Sequence, residues 1–132
     1  MFKKRIKYVD FNGTEREEDF YFHMSSVEMT RFEASLRGMT VEDYAKGIDA
    51  DKNAPEAVRF IEDIILNSYG RKSPDGRTFL KSPEIRQEFE YSQAYAELFE
   101  EMILNPESAR KFAMGVGEKT KGNDNVSPLY RG

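Results

Sequence analysis

Near the beginning of the chain, apolar and polar residues alternate in two runs, as they do in β-strands that have two different faces. The first run places Ile6 and Tyr8 on one face and Val9 and Phe11 on the other. In the second run, Phe20, Phe22 and Met24 share a face that is expected to pack. Between the runs lies Asn12-Gly13, and both residues tolerate the positive φ of a tight turn. The pattern predicts a β-hairpin over residues 2–24.

After residue 24, the apolar residues recur at helical spacing. The predicted helices run from Ser25 to about Leu36, over a short stretch from Thr40, from Ala54 to Tyr69, from Pro83 to about Leu104, and over a short stretch after Pro106. Ser25 and Glu28 have the spacing of a capping box. The long fourth helix is expected to be kinked or broken near Ser92. In the first helix, Val27 and Phe32 are expected to face inward.

The connection over residues 67–83 has strong turn and cap signals. Gly70 can take positive φ, and we expect it to stop the preceding helix. Pro74-Asp75-Gly76 predicts a turn, and Ser82-Pro83 has the composition of a helix start. We interpret the segment as a structured connector between the two most apolar helices.

Together these elements predict an α+β fold that is mostly α, in which the N-terminal β-hairpin packs on a bundle of about five helices. We expect residues 1–114 to form one domain, with the hairpin at 2–24 and the helical part at 25–114. Residues 115–132 are polar and glycine-rich and contain few core formers, so we expect a flexible C-terminal tail.

Composition narrows the class of protein. The formal net charge of −4 argues against nucleic-acid binding through the charge of the whole domain, and the lack of cysteine rules out disulfides and thiolate metal sites. No apolar run approaches the roughly 20 residues of a membrane span. We expect a cytoplasmic protein that does not contact membranes.

Signals for catalysis are weak. His23 is the only histidine, and it lies at the end of an aromatic strand without a marked nucleophile or acid beside it. The chain has no glycine-rich phosphate loop and no calcium-binding spacing. We therefore predict a protein that is not an enzyme, with no catalytic, cofactor-binding or metal-binding residues.

The connector is locally basic, with four cations against Asp75 alone. A solvated loop, a docking surface for an acidic partner or another copy of the chain, and a nucleic-acid patch all remain open. The candidate partner-binding residues are Tyr69, Arg71, Lys72, Arg77 and Phe79 in the connector and Tyr91, Tyr95 and Met102 on the long helix. The aromatic and methionine side chains among them equally fit a core.

Several segments resemble one family. The stretches Val9–Arg16, Asp19–His23, Ile65–Arg77, Phe79–Glu84 and Ser92–Phe99 look like parts of the tail assembly chaperones of long-tailed, siphovirus-type bacteriophages. The likeness covers most of residues 3 to 114, and its middle part is the most specific.

The resemblance implies a non-enzymatic assembly factor without cofactors. Such chaperones bind the tape-measure protein in the bacterial host cytoplasm, keep it soluble before the tail tube polymerises, and are absent from the mature virion. The major tail protein and another copy of the chain are further candidate partners. Two alternatives remain: a structural tail or connector protein retained in the virion, and a small nucleic-acid-binding regulator that uses the basic 71–81 segment.

Overall fold

The computed structural model describes residues 1–49 and 51–118. Its elements, in chain order, are β1 (Phe2–Val9), β2 (Glu15–Phe22), α1 (Ser26–Ser35), α2 (Val41–Lys46), α3 (Ala54–Ser68), β3 (Tyr69–Lys72), β4 (Phe79–Leu80), α4 (Pro83–Glu90), α5 (Gln93–Leu104) and α6 (Pro106–Gly115). The strands form one antiparallel sheet in the order β1-β2-β3-β4. The predicted class, α+β and mostly α, is confirmed.

The N-terminal hairpin forms as its alternation predicts. Its register pairs Phe2 with Phe22 and Val9 with Glu15. The turn is closed by the carboxylate of Asp10, whose Oδ1 accepts hydrogen bonds from the backbone N–H groups of Asn12 and Thr14. Gly13 has φ of +80°, a conformation that glycine adopts without strain.

Side-chain caps fix where the helices begin. The Ser25 and Glu28 side chains bond to each other's backbone N–H groups at the start of α1, which is the predicted capping box. Ser92 accepts a hydrogen bond from the N–H of Tyr95 and donates its hydroxyl to the carbonyl of Phe89. The long apolar segment therefore divides into α4 and α5 at the predicted position, which gives six helices in the described part of the chain.

The connector contains two strands that the sequence analysis does not predict. β3 continues directly from α3 and pairs with β2, with Tyr69 opposite Phe22 and Gly70 opposite Tyr21. β4 then pairs with β3 across the predicted Pro74-Asp75-Gly76 turn. The segment is thus a second hairpin that extends the first into a four-stranded sheet.

Gly70 does not stop a helix through positive φ, so that expectation is wrong. Among the described glycines, positive φ occurs at 13, 38 and 76. Helix α3 ends at Ser68, and Tyr69 already has extended backbone angles. A Cβ atom at Gly70 would lie 2.6 Å from Phe79 Cε2 and 2.8 Å from the Leu80 carbonyl oxygen. Glycine is required there because β4 packs closely against it.

The core centres on Phe22, which is fully buried. Its ring centroid lies 5.0 Å from that of Phe112, 5.7 Å from that of Phe89 and 5.7 Å from that of Tyr69, so it joins α6, α4 and β3. Helix α3, which has more buried residues than any other described helix, supplies the fully buried Ile64 and Ile65. These ring contacts attach the sheet to the helices.

Two core expectations need correction. Val27 is 58% exposed rather than inward-facing, because α1 packs through Met29, Phe32 and Leu36, all only half-buried. At the other end of the chain, Val116 is fully buried and its carbonyl accepts a hydrogen bond from the N–H of Met24. Residues 115–118 therefore belong to the folded part, whereas 119–132 lie outside the described residues.

Candidate partner-binding surfaces

Four of the eight predicted partner-binding residues pack into the structure. Tyr69 stacks on Phe89 with 4.2 Å between ring centroids, and Met102 is only 2% exposed. Tyr95 is half-buried, and burial raises the pKa of its hydroxyl to about 12. Phe79 is half-buried as well, and its ring meets the His23 ring edge-on. These side chains support the fold more than they offer a surface.

The other four residues are exposed but have different environments. Arg71 forms an ion pair with Glu88 of α4, with 2.6 Å between Nη2 and Oε1. The ammonium of Lys72 lies 4.4 Å from the centroid of the Tyr21 ring. Arg77 stands in the β3–β4 turn, and Tyr91, beyond α4, is 71% exposed. The assignment of these eight residues to a partner-binding surface remains a prediction.

Lys81 has a structural role that could not be recognised from the basic composition of the connector. Its Nζ donates to Glu28 Oε2 at 2.7 Å and to the carbonyl oxygens of His23 and Asn67 at 2.7 and 2.8 Å. Partial burial opposes ionisation of Glu28, but the bonds from Lys81 and Ser25 outweigh it and lower the pKa of that carboxyl. The cation joins α1, β2, α3 and the connector, and it is not free for an external phosphate.

His23 sits beside this ion pair. Burial lowers the pKa of its imidazole, and the positive charge of Lys81 lowers it further. Its Nδ1 is buried and accepts no hydrogen bond from the described residues. Among the described residues, His23 lines none of the clefts described below.

A pH dependence of stability follows from His23. Because its folded-state pKa lies below the ordinary value of 6.5, the unfolded chain binds the proton more readily. Stability should be constant above pH 6.5 with respect to this group and fall as the pH decreases through the folded-state pKa. Urea unfolding at pH 7.5 and 5.5 measures the difference, and His23→Phe should flatten it. An unchanged pH dependence in that variant would contradict the assignment.

A cleft lined by both apolar and charged side chains opens between α1, α2 and α3. Its volume is about 400 Å³. Its lining residues include the aromatic side chains Phe32, Tyr44 and Phe60, and Phe60 is 4.9 Å from Tyr44 between ring centroids. Leu36 and the 45% exposed Met39 complete its apolar part. None of the α1 residues is buried, and the half-buried Phe32 is the apolar side chain that this helix contributes to the cleft.

Charges of both signs surround the cleft. Arg37 and Arg59 face Glu56 and Asp63 among its lining residues. Burial raises the pKa of Asp63, although the neighbouring Arg59 acts in the opposite direction. A mixture of aromatic and charged side chains is common in protein–protein contacts.

A comparison with protein families matches most of the chain. The family described as phage tail assembly chaperone matches residues 1–117, from β1 through α6. The chain belongs to the phage tail assembly chaperone family. Searches of curated proteins and of solved structures gave no match.

Membership in the family establishes a role in phage tail assembly and implies a non-enzymatic activity exerted through protein partners. Within residues 1–49 and 51–118, no three histidine or carboxylate side chains gather as a metal site would require. In the same residues, no helix has the length and apolar character needed to cross a membrane.

Proposed function

We propose that this tail assembly chaperone binds the tape-measure protein in the bacterial host cytoplasm and keeps it soluble until the tail tube forms around it. The observation that supports the proposal most is the accessible cleft between α1, α2 and α3, where three aromatic side chains lie among charged ones. A tape-measure chain that exposes long apolar helical faces needs such a partner until the tube covers them. The chaperone itself is not expected in the mature virion.

The side chains that line the cleft suit the apolar side of a bound helix. An amphipathic helix laid in a groove inserts side chains from positions i, i+3, i+4 and i+7. The rings of Phe32, Tyr44 and Phe60 offer apolar contacts for two or three such side chains, and Arg37 and Asp63 offer ion pairs to the polar flanks. The occupant that we propose is therefore an amphipathic helical segment of the tape-measure protein.

Coexpression tests the cleft. Met39→Glu places a carboxylate at the mouth of the cleft, where a bound apolar side chain would have to desolvate it. We expect the tape-measure protein of the same phage to copurify with wild type and remain soluble, and the Met39→Glu variant to bind it at least about tenfold more weakly. Pull-down and the soluble fraction of the tape-measure protein are the two measurements.

Met114→Glu is the matched control. Met114 lies on α6 and is 52% exposed, against 45% for Met39, and it lines none of the clefts described for residues 1–49 and 51–118. Both variants should fold with similar stability, and the control should bind like wild type. Equal loss in both variants would contradict the cleft, and no copurification with wild type would contradict tape-measure binding.

The same coexpression experiment can identify partners other than the tape-measure protein. The proposal allows the major tail protein as a second ligand and self-association of the chaperone, which coexpression and sedimentation would detect. Retention as a structural tail or connector protein would place the chain in purified virions. For the nucleic-acid alternative, the pairing of Arg71 with Glu88 and of Lys81 with Glu28 leaves fewer free cations in the 71–81 segment.

A further inference from the structure

Strand β1 forms an outer edge of the sheet. The N–H of Asp10 donates to the carbonyl of Thr14, so this pair is hydrogen-bonded. Because such pairs alternate in an antiparallel ladder, the even-numbered residues of β1 bond to β2, and Lys3, Arg5 and Lys7 direct their N–H and C=O groups outward. In the described part of the chain, no other strand pairs with these groups.

The side chains along this edge carry one sign of charge. Lys3, Arg5 and Lys7 share the solvent-exposed face of β1, and Arg5 pairs across the strands with Glu17 and Asp19 of β2. Lys3 and Lys7 form no ion pair with any residue in 1–49 or 51–118. The open edge therefore presents positive charge on its exposed face.

Two clefts of about 610 and 430 Å³ lie along β1. The first is lined by β1, β2 and Glu97 of α5, and the second by β1 and α5. Leu104, which is 81% exposed, and the buried Leu98 contribute apolar surface to one of them. Its charged lining residues are of both signs, with Glu97, Glu100 and Glu101 beside Lys4, Arg5 and Lys7, so the exposed Leu104 is the contact that favours an apolar side chain there.

We propose that the outer edge of β1 binds an extended segment of a protein partner in which acidic and apolar residues alternate. Such a segment would add a strand to the sheet, with its acidic side chains beside Lys3, Arg5 and Lys7 and its apolar side chains toward α5. A second copy does not fit, because pairing β1 with β1 brings the same cations together. The proposal is independent of the helix-binding cleft, which lies against α1.

Peptides of opposite charge test this edge on the full chain. A nine-residue peptide that alternates Glu with Val should bind, and one that alternates Lys with Val should bind at least about tenfold more weakly. Hydrogen exchange should slow at the amides of Lys3, Arg5 and Lys7 but not at those of Lys4 and Ile6, which already bond to β2. A Glu/Val peptide with N-methyl groups along one edge should lose its binding if that edge faces β1.

Charge reversal completes the test. The double variant Lys3→Glu, Lys7→Glu alters only exposed side chains and should exchange the two peptide preferences. Glu at position 7 would lie opposite Glu17, so the unfolding midpoint should fall slightly while the chain stays folded. Lys46→Glu, an exposed cation on α2, is the control and should preserve them. Equal affinity for both peptides, protection without alternation, or slowed edge amides in a self-associated protein without peptide would each overturn the proposal.

Discussion

Replacement of Gly70 by valine is expected to destabilise the chain by about 3 kcal/mol, through overpacking of a close contact between backbone segments. The new Cβ would overlap the Phe79 ring and the Leu80 carbonyl oxygen, at 2.6 and 2.8 Å. The ring can rotate away, but the carbonyl belongs to the strand that pairs with β3. The midpoint of thermal unfolding should fall by about 10 °C, as circular dichroism would measure.

Two comparisons separate crowding from backbone conformation at Gly70. Gly47→Ala is the matched control, because Gly47 caps α2 at ordinary φ and its Cβ would lie 3.7 Å from the nearest atom. That variant should unfold within about 0.5 kcal/mol of wild type. Gly70→Asn should be as harmful as Gly70→Ala. If asparagine were tolerated and alanine were not, positive φ would be the requirement and the crowding argument would fail.

Local chemistry explains why much of the fold can be predicted from the sequence. The hairpin depends on Asn12-Gly13 and on strict alternation, and the breaks between helices depend on Ser25 and Ser92 with their N-cap bonds. Each of these signals acts over a few residues. The same holds for the turn at Asp75, whose carboxylate accepts hydrogen bonds from Ser73 Oγ and the N–H of Arg77.

The second hairpin could not be predicted, because its strands are too short to show a period. β3 has four residues and β4 has two, and an alternation needs about four to eight residues to be recognised. The conformation of β3 is set by pairing with β2, about 50 residues earlier along the chain, and that of β4 by pairing with β3. Gly70 is prominent in the sequence, but its function could not be predicted either. It allows close packing against β4 and does not end a helix.

The candidate surfaces depend even more on tertiary structure. Composition identifies the connector as basic, but it cannot show that Lys81 bonds to Glu28, which is 53 residues away. The open edge of β1 follows only from the strand order. The cleft between α1, α2 and α3 follows only from how these helices pack. Spacing on the long helix likewise could not tell the buried Met102 from an exposed contact residue.

Replacement of Lys81 by methionine is expected to destabilise the chain by about 2 kcal/mol, because hydrogen bonds from a charged donor are strong and three of them, two of which are partly buried, are lost together. Methionine keeps the unbranched apolar stem and removes three hydrogen bonds at once. Two carbonyl oxygens, those of His23 and Asn67, would lose this donor, and Glu28 would lose its cation. Urea unfolding at pH 7 measures the difference from wild type.

Arg77→Met controls for the loss of one positive charge from the same connector. Arg77 is exposed, and its replacement should change the free energy of unfolding by less than about 0.5 kcal/mol. The pH dependence adds a second criterion. Since Glu28 has a folded-state pKa below its ordinary value of 4.5, its stabilisation is present above that pH and is lost as the pH falls through the folded-state pKa. The difference between wild type and Lys81→Met should therefore narrow below pH 4.5, and a difference that stayed constant would show that the Glu28 pair contributes little beside the two carbonyl bonds.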